Sequence, residues 1–279
     1  MPLRIVQSKQ NARLKDLRRA FAHPNLDAGG GMAGIESPKL LEEAHRAGLR
    51  FDCVFVAQGA ERLLESLPLP RETEILLLPK VLLDSALPTE TPQPIAALVE
   101  PPKWDWAHLL GSHRDAAPLV LVLAGLQDPG NLGTILRSAE AFGANGVVSL
   151  PGTVSAWNPK AVRASAGSVF RLPVLSASTE NCFLRLRQTH VRILSTAVHA
   201  AEPADLADLA SPVALLIGNE GNGVPETLAA KADGALTIPC PGPVESLNAA
   251  VAASILLYEA SQQRSSRSRA SLNHSGGRP

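Results

Sequence analysis

The sequence has few cysteines and none of the spacings that metal or disulfide sites require. Cys53, Cys182 and Cys240 are its only three among 279 residues, and no two of them form a C-x-x-C pair. The seven histidines include no H-x-x-x-H pair. Widely separated thiols of odd number argue against a disulfide framework and against a zinc site. We therefore expect reduced thiols, no bound metal and a location in the cytoplasm.

Long hydrophobic runs and an overall excess of charge are also missing. No apolar stretch is long enough to span a bilayer, and the N-terminus lacks the apolar core of a signal peptide, so no membrane association is expected. The chain carries 26 basic and 26 acidic residues, but residues 1–20 hold six Lys or Arg against one Asp, and residues 261–279 hold four Arg and no acid. Basic ends on a neutral body indicate a polyanionic partner, with ordinary solvated charge as the alternative.

The N-terminal third contains short helices and strands in alternation. Residues 8–21 have apolar side chains at helical spacing, and a Gly-rich joint follows. Residues 37–99 then alternate between helix and strand patterns, which predicts a small α/β/α domain. Trp104 and Trp106 lie just after it, where they could stack on bases or dock between domains. The predicted elements are helices at 38–47, 60–66 and 81–85 and strands at 51–57, 74–78 and 95–99.

The second half opens on a buried strand that leads into a polar turn. Residues 119–124 are apolar throughout, as in parallel sheets, and a helix is predicted to begin at Gly133 with Asn131 near its N-cap. Because helical side chains lean toward the N-terminus, the guanidinium of Arg137 can extend over Gly133, one turn earlier. This predicts a cationic ligand position at the carboxyl end of the strand, with a surface arginine paired to Glu140 as the alternative.

A second apolar strand, 213–217, also ends in a turn rich in glycine. Asn219 and Glu220 lie between Gly218 and Gly221 in this turn. Glycines let the backbone approach a ligand closely, although a simple tight turn has the same composition.

A third apolar run, 236–238, reads as a strand that ends in a proline-rich loop. The chain is then expected to enter a helix at Glu245 or Ser246. Ser246 and Asn248 would place a hydroxyl and an amide at the first turn, where unpaired N–H groups favour an anionic ligand. The alternative is a cap residue and a surface amide. One stripe of the helix is predicted to be apolar: Leu247, Val251, Ile255 and Tyr258.

In this order and spacing, the three segments resemble the three motifs of the SpoU (TrmH-like) RNA ribose 2′-O-methyltransferases of the SPOUT class. The resemblance covers about residues 118–260, and residues 7–20 with the small domain resemble the family's L30e-like substrate-binding region. The sequence departs from the family at four positions that affect local packing and leave the polar residues of the motifs intact. The family usually has Met, Val, Ser and Gly where this sequence has Cys240, Ala249, Ala250 and Ser254. The matching residues are Asn131, Gly133 and Arg137; Leu216 to Gly221; and Ile238, Pro239, Gly242, Glu245 to Asn248, Ala252 and Ala253.

The resemblance implies an α/β fold in two parts. The C-terminal methyltransferase domain would have a mostly parallel sheet tied into a trefoil knot, which general folding rules would not suggest. The smaller N-terminal domain would be an α/β/α domain of the L30e-like type. The predicted ranges are a basic helix at 1–23, the L30e-like domain at 24–100, a linker at 101–117, the methyltransferase domain at 118–262 and a disordered basic tail at 263–279.

The resemblance further implies S-adenosylmethionine as cofactor, structured RNA as substrate and a homodimer with the helix that ends at Tyr258 as a candidate interface. The resemblance assigns Arg137 the central role in deprotonating or activating the hydroxyl. Because a guanidinium is a poor base, we interpret it mainly as a clamp on phosphate and a stabiliser of developing alkoxide, with proton acceptance as the alternative. Asn131 would orient Arg137 or the ribose, and Glu220 would hold Arg137 or position substrate. The other implied sites are Ser246 and Asn248 at the reacting groups; Leu216, Ile217, Gly218, Ile238, Pro239, Ser246, Leu247 and Asn248 at the cofactor; and Arg13, Lys15, Lys160 and Arg163 at the RNA.

Ribosomal RNA of the 23S type is the favoured substrate, since an L30e-like domain reads folded RNA by shape. Transfer RNA is the alternative, as is a non-catalytic RNA-binding or ribosome-assembly factor with the same fold. A dinucleotide-dependent oxidoreductase fits less well, because no strand is followed by G-x-G-x-x-G.

Overall fold

The computed structural model describes residues 3–24, 31–67, 69–111, 117–198, 202–244 and 246–275, with side chains as far as 269. The elements up to residue 111 are β1 (Leu3–Ile5), α1 (Ala12–Ala22), β2 (Ala33–Glu36), α2 (Pro38–Arg46), β3 (Phe51–Ala57), β4 (Glu74–Leu78), α3 (Lys80–Asp84), β5 (Ile95–Val99) and α4 (Trp106–Leu110). Those that follow are β6 (Leu119–Leu123), α5 (Pro129–Ala141), β7 (Gly146–Ser149), α6 (Pro159–Ala164), β8 (Val174–Ser176), α7 (Thr179–Gln188), β9 (Arg192–Thr196), β10 (Glu202–Pro203), β11 (Val213–Ile217), α8 (Glu226–Ala229), β12 (Gly234–Thr237) and α9 (Ala249–Ser275).

These elements form two units, which divide the chain into Met1–Lys103 with Ser155–Arg171, and Trp104–Val154 with Leu172–Pro279. The first unit contains a five-stranded mixed sheet in the order β1-β4-β3-β5-β2. Helix α1 buries Leu14, Leu17 and Phe21 on this sheet, as the helical spacing predicted. The predicted helix at 60–66 is instead a 3₁₀ turn, Glu61–Leu64, because none of its residues is fully buried and little packing supports a longer helix.

Residues 155–171 belong to the first unit, although they lie between β7 and β8 in sequence. Arg171 forms an ion pair with Glu43 at 2.8 Å, and the Ser155 hydroxyl donates to the carbonyl of Pro24 at 2.7 Å. Helix α6 packs against β2, the edge strand of the sheet. Covering an edge strand removes a site for unwanted pairing. These contacts place residues 155–171 in the first unit, whereas the predicted ranges 24–100 and 118–262 put them in the second domain. A side-chain contact between segments distant in sequence leaves no local pattern from which it could be predicted.

The second unit contains a seven-stranded sheet in the order β10-β12-β9-β11-β6-β7-β8, and every neighbouring pair is parallel. Strands β6 and β11 are buried along their whole length, which explains their unbroken apolar sequences. The predicted α/β class with a mostly parallel sheet is confirmed. The knot stays a prediction from the resemblance. Because the strands are parallel, the turns after β6, β11 and β12 all leave the same edge of the sheet.

Helix α9 begins at Ala249, later than the predicted start at Glu245 or Ser246. The cap is Asn248, whose Oδ1 accepts from the backbone N–H groups of Ala250 at 2.9 Å and Val251 at 3.3 Å. The predicted apolar stripe does not face the core, since Val251, Ile255 and Tyr258 are exposed. The buried face is instead built of small residues and leucines that let α9 lie close to α5: Ala250, Ala253, Leu256, Leu257 and Ala260.

The predicted disordered tail is corrected for residues 263–275, which continue α9. Tertiary hydrogen bonds fix the first part of this segment. The guanidinium of Arg264 donates to the carbonyls of Ala117, Pro118, Leu209 and Ser211, and burial lowers its pKa. Residues 276–279 lie outside the described chain. In the part of the chain that is described, no helix is both long and apolar enough to cross a bilayer.

Candidate active site

Three polar side chains, one from each motif, form a continuous hydrogen-bonded chain. The Nδ2 atom of Asn131 donates to Glu220 Oε1 at 3.0 Å, and the Nδ2 atom of Asn248 donates to Asn131 Oδ1 at 3.1 Å. The partners are 89 and 117 residues apart in sequence. The motifs that the sequence analysis singled out therefore meet at one place, at the carboxyl edge of the parallel sheet.

Glu220 is held by backbone groups as well as by Asn131. Its carboxylate accepts from the N–H of Asp128 at 3.1 Å and from the N–H of Gln127 at 3.3 Å. Burial acts to raise the pKa of Glu220, but the hydrogen bond from Asn131 and those from backbone N–H groups outweigh it and hold the pKa below its ordinary value. The carboxylate is thus ionised, and its hydrogen bonds hold it at the turn that leads into α5.

Asn131 lies in the first turn of α5, because the helix begins at Pro129 and not at Gly133 as predicted. Asp128 caps the helix, and its Oδ1 accepts from the N–H groups of Gly130 at 2.5 Å and Asn131 at 3.1 Å. An Asp followed by Pro is a usual way to start a helix, since the proline has no N–H to leave unpaired. Asp128 is not among the predicted site residues, although this Asp-Pro signal is present in the sequence.

The glycines after β11 allow the chain to approach itself. A Cβ atom on Gly218 would lie 2.0 Å from the carbonyl carbon of Gly223, so no other residue fits there. Asn219 and Gly223 exchange two backbone hydrogen bonds of 2.9 Å each. The Asn219 side chain donates to the carbonyl of Gly125 at 2.8 Å, which ties this turn to the segment after β6. At Gly218, the close contact that glycine allows is therefore with the protein's own backbone, and not with a ligand as predicted.

Arg137 is exposed and forms no hydrogen bond or ion pair within the described residues. The expectation that Asn131 or Glu220 holds it is corrected, because these two side chains bond to each other. Six helical positions separate Asn131 from Arg137, and at about 100° per residue they point about 240° apart around the helix. The pairing with Glu140 considered as the alternative is not seen either. The guanidinium is available to bind an anion.

The residues predicted to hold a cofactor lie at or beyond the ends of β11 and β12, two strands that both pair with β9. Leu216 and Ile217 are buried at the end of β11, just before Gly218, whereas Ile238 is half-buried just beyond β12. In the loop that precedes α9, Leu247 is half-buried and Ser246 is exposed, like Pro239 and Asn248. Ser246 lies before the helix and does not cap it. Apolar surface beside exposed peptide groups suits a ligand with an aromatic ring and hydrogen-bonding edges.

Three of the four residues predicted to bind RNA are exposed. Lys15, Lys160 and Arg163, all in the first unit, are exposed. Arg13 is instead paired with Asp52 at 2.7 Å and Glu74 at 3.0 Å, so its charge is neutralised within the protein. Both carboxylates are distant from Arg13 in sequence, so the basic composition of residues 1–20 could not predict this pairing.

Trp104 and Trp106 both contact their own unit. The Trp104 ring lies edge-on to His108, with ring centroids 5.2 Å apart, and Trp106 packs against a core that includes Leu109. Among the described residues, no group of three or more His, Cys, Asp or Glu side chains could hold a metal ion.

Comparison with known proteins gives the same family as the motifs. Residues 118–258 match the family model of the SpoU rRNA Methylase family. The 23S rRNA (guanosine(2553)-2′-O)-methyltransferase RlmP of Bacillus subtilis (strain 168) is 33% identical over 258 residues, which are 92% of this chain and 98% of the relative. A relative described as an uncharacterized tRNA/rRNA methyltransferase, from Mycolicibacterium vanbaalenii, is 36% identical over 242 residues, 80% of this chain and 74% of the relative.

Solved structures agree over nearly the whole chain. The SpoU methyltransferase AviRb from Streptomyces viridochromogenes, in complex with the cofactor AdoMet, superposes with a TM-score of 0.79 at 28% identity and covers 91% of this chain and 98% of that one. An AdoMet-bound rRNA methyltransferase from Sinorhizobium meliloti gives a TM-score of 0.80 at 29% identity over 93% and 98% of the two chains. The chain belongs to the SpoU rRNA methylase family, and the predicted resemblance is confirmed.

Proposed function

We propose that the protein transfers the methyl group of S-adenosylmethionine to a ribose 2′-hydroxyl of ribosomal RNA, with 23S rRNA as the substrate. The observation that carries the proposal is the Asn131–Glu220–Asn248 chain, which joins all three motifs at one edge of the sheet. Membership of the SpoU family and the name of the Bacillus subtilis relative support the RNA class.

The residues at the ends of β11 and β12 fit this cofactor. Ile238 and Leu247 supply partly exposed apolar surface for a purine ring. When bound, S-adenosylmethionine supplies a methyl group that is already activated by its sulfonium. The residues that hold it in this proposal are Leu216, Ile217, Gly218, Ile238, Pro239, Ser246, Leu247 and Asn248.

The protein's own task is to align the hydroxyl and to stabilise the charge that develops on it. Arg137 binds the phosphate next to the target ribose and stabilises the alkoxide, because its guanidinium is exposed and unpaired within the described chain. Asn131, fixed by Glu220 and Asn248, orients the ribose. Glu220 acts by holding Asn131 and the start of α5 and not by holding Arg137.

The first unit binds the RNA in this proposal. Lys15, Lys160 and Arg163 are exposed cations suited to phosphate contacts, which position RNA without reading its sequence. An enzyme that acts on ribosomal RNA works where ribosomes are assembled, so we place the protein in the cytoplasm.

The exposed stripe of α9 is proposed as the interface of a homodimer. Val251, Ile255 and Tyr258 are 48%, 39% and 51% exposed, and they lie on one face of the helix. Ile255→Glu should convert a dimer to a monomer in sedimentation equilibrium, because a charge would be buried in the contact. Val81→Glu, which changes a residue 77% exposed on α3, is the matched control and should leave the dimer intact. A monomeric wild type, or an Ile255→Glu dimer, would contradict this interface.

The methyl transfer can be tested with purified protein, S-adenosylmethionine labelled in its methyl group, and unmodified transcripts of 23S rRNA, 16S rRNA and tRNA. We expect label in the 23S transcript alone, in a dinucleotide that resists alkaline hydrolysis because its 2′-hydroxyl is methylated. Guanosine 2553, after which the Bacillus subtilis relative is named, is the first position to map. Label in tRNA alone would favour the alternative substrate. Cofactor binding without label in any transcript would refute the proposal and leave a non-catalytic RNA-binding protein.

A further inference from the structure

Thr153 lies in the turn after β7 and bonds through its hydroxyl to the segment that follows β6. The Oγ1 atom donates to the carbonyl of Leu123 at 2.9 Å and accepts from the N–H of Gly125 at 3.1 Å. The N–H of the next residue, Val154, donates to the carbonyl of Leu126 at 2.8 Å. The turn after β7 thus holds one side of the segment 123–126.

The other side of this segment holds the polar residues of the site. The carbonyl of Gly125 accepts from Asn219, and the N–H groups of Gln127 and Asp128 donate to Glu220. Gly125 has a φ of +73°, a conformation that glycine adopts with little cost and that its backbone can also leave easily. The position of Glu220, and through it that of Asn131, depends on how firmly residues 123–128 are fixed.

We propose that Thr153 is a positioning residue of the methyl transfer, acting through the segment 123–128 on the Asn131–Glu220 pair. This inference rests on the proposed function. A hydroxyl suits the position because it both donates and accepts, which the two backbone groups of Leu123 and Gly125 require. Without it, the N–H of Gly125 loses its partner and the segment can shift. A misplacement of about 1 Å in a reacting group can cost about 100-fold in rate.

The test compares three variants at saturating cofactor and 23S transcript. Thr153→Val keeps the shape of the side chain but removes both hydrogen bonds, and it should lower kcat about 10- to 100-fold. Thr153→Ser keeps the hydroxyl and should remain within about threefold of the wild type, since both bonds can re-form. Thr189→Val is the matched control, because the Thr189 hydroxyl also bonds to two carbonyls, those of Arg185 and Leu186, at the end of α7. It should leave kcat unchanged.

A second measurement separates positioning from stability. If Thr153 acts through Glu220, the double variant Thr153→Val with Glu220→Gln should have a kcat no lower than Glu220→Gln alone, since the same arrangement is already lost. The Tm of Thr153→Val should fall no further than that of Thr189→Val. The inference is overturned if Thr153→Val keeps the kcat of the wild type, if Thr153→Ser is as slow as Thr153→Val, or if the two effects on kcat multiply. A wild type without activity refutes the proposed function instead, so the two failures can be told apart.

Discussion

The polar residues of the candidate site and the basic residues of the first unit are organised in opposite ways. At the site, Asn131, Glu220 and Asn248 form one hydrogen-bonded chain, whereas Arg137 has no hydrogen-bond or ion-pair partner within the described chain. In the first unit, Lys15, Lys160 and Arg163 are exposed, whereas Arg13 is neutralised by two carboxylates. The difference teaches that the site is preorganised, so one change should disturb several residues, whereas the exposed cations should act singly and additively.

The largest effect is expected at Arg137. Arg137→Ala should lower the rate of methyl transfer about 10²- to 10³-fold, as the loss of one group that stabilises developing charge does elsewhere. Binding of S-adenosylmethionine, measured by calorimetry, should stay within about twofold, because Arg137 is not among the residues proposed to hold the cofactor. Transfer at the rate of the wild type would mean that this exposed guanidinium has no part in the reaction.

A smaller effect, dependent on pH, is expected at Glu220. The pKa of Glu220 is lowered in the folded protein, so the stability that its carboxylate contributes is present above its unfolded pKa of about 4.3 and is lost as pH falls through the folded value. Glu220→Gln should therefore have a lower Tm than the wild type at pH 7, and the difference should shrink below about pH 4.3. A difference that stays constant from pH 7 to pH 3.5 would show that ionisation of Glu220 does not matter.

The exposed cations should produce effects that are smaller still and sensitive to salt. Lys15→Ala, Lys160→Ala and Arg163→Ala should each weaken binding to the 23S transcript and reduce the slope of log K against log salt by about 0.7 to 0.9, because each removes one phosphate contact. Arg13→Ala is the control from the same unit: it should lower Tm, since Asp52 loses its partner and Glu74 keeps only Arg4, without a change in slope. Equal slopes for all four variants would erase the distinction between Arg13, which carboxylates neutralise, and the three exposed cations.

The smallest perturbation is chemical labelling of the three thiols. Burial raises the pKa of Cys53 and of Cys182 to about 12, whereas Cys240 is exposed in the loop after β12. Iodoacetamide at pH 8 should therefore label Cys240 first, as mass spectrometry of the tryptic peptides would reveal. S-adenosylmethionine should slow this labelling, because Cys240 follows Ile238 and Pro239, which are proposed to hold the cofactor. Equal labelling with and without the cofactor would separate this loop from the cofactor site.

Local patterns predicted much of the fold and part of the site. The apolar runs of β6 and β11 indicated buried parallel strands, and the spacing of Leu14, Leu17 and Phe21 indicated which face of α1 is buried. The order of the three motifs identified the family. The start of α5 was placed too late even so, because the helix was read from Gly133 instead of from the Asp-Pro signal at Asp128.

The sequence by itself determined the strands, the motifs and the residue types at the site, because hydrophobic period, glycine and capping residues act over a few neighbouring positions. Only the tertiary structure decided which partners these residues take: that Glu220 bonds to Asn131 and not to Arg137, that Arg13 is neutralised, and that Arg264 binds four backbone carbonyls. Each of these contacts joins segments far apart in the chain. Their energy depends on distances that no local pattern contains.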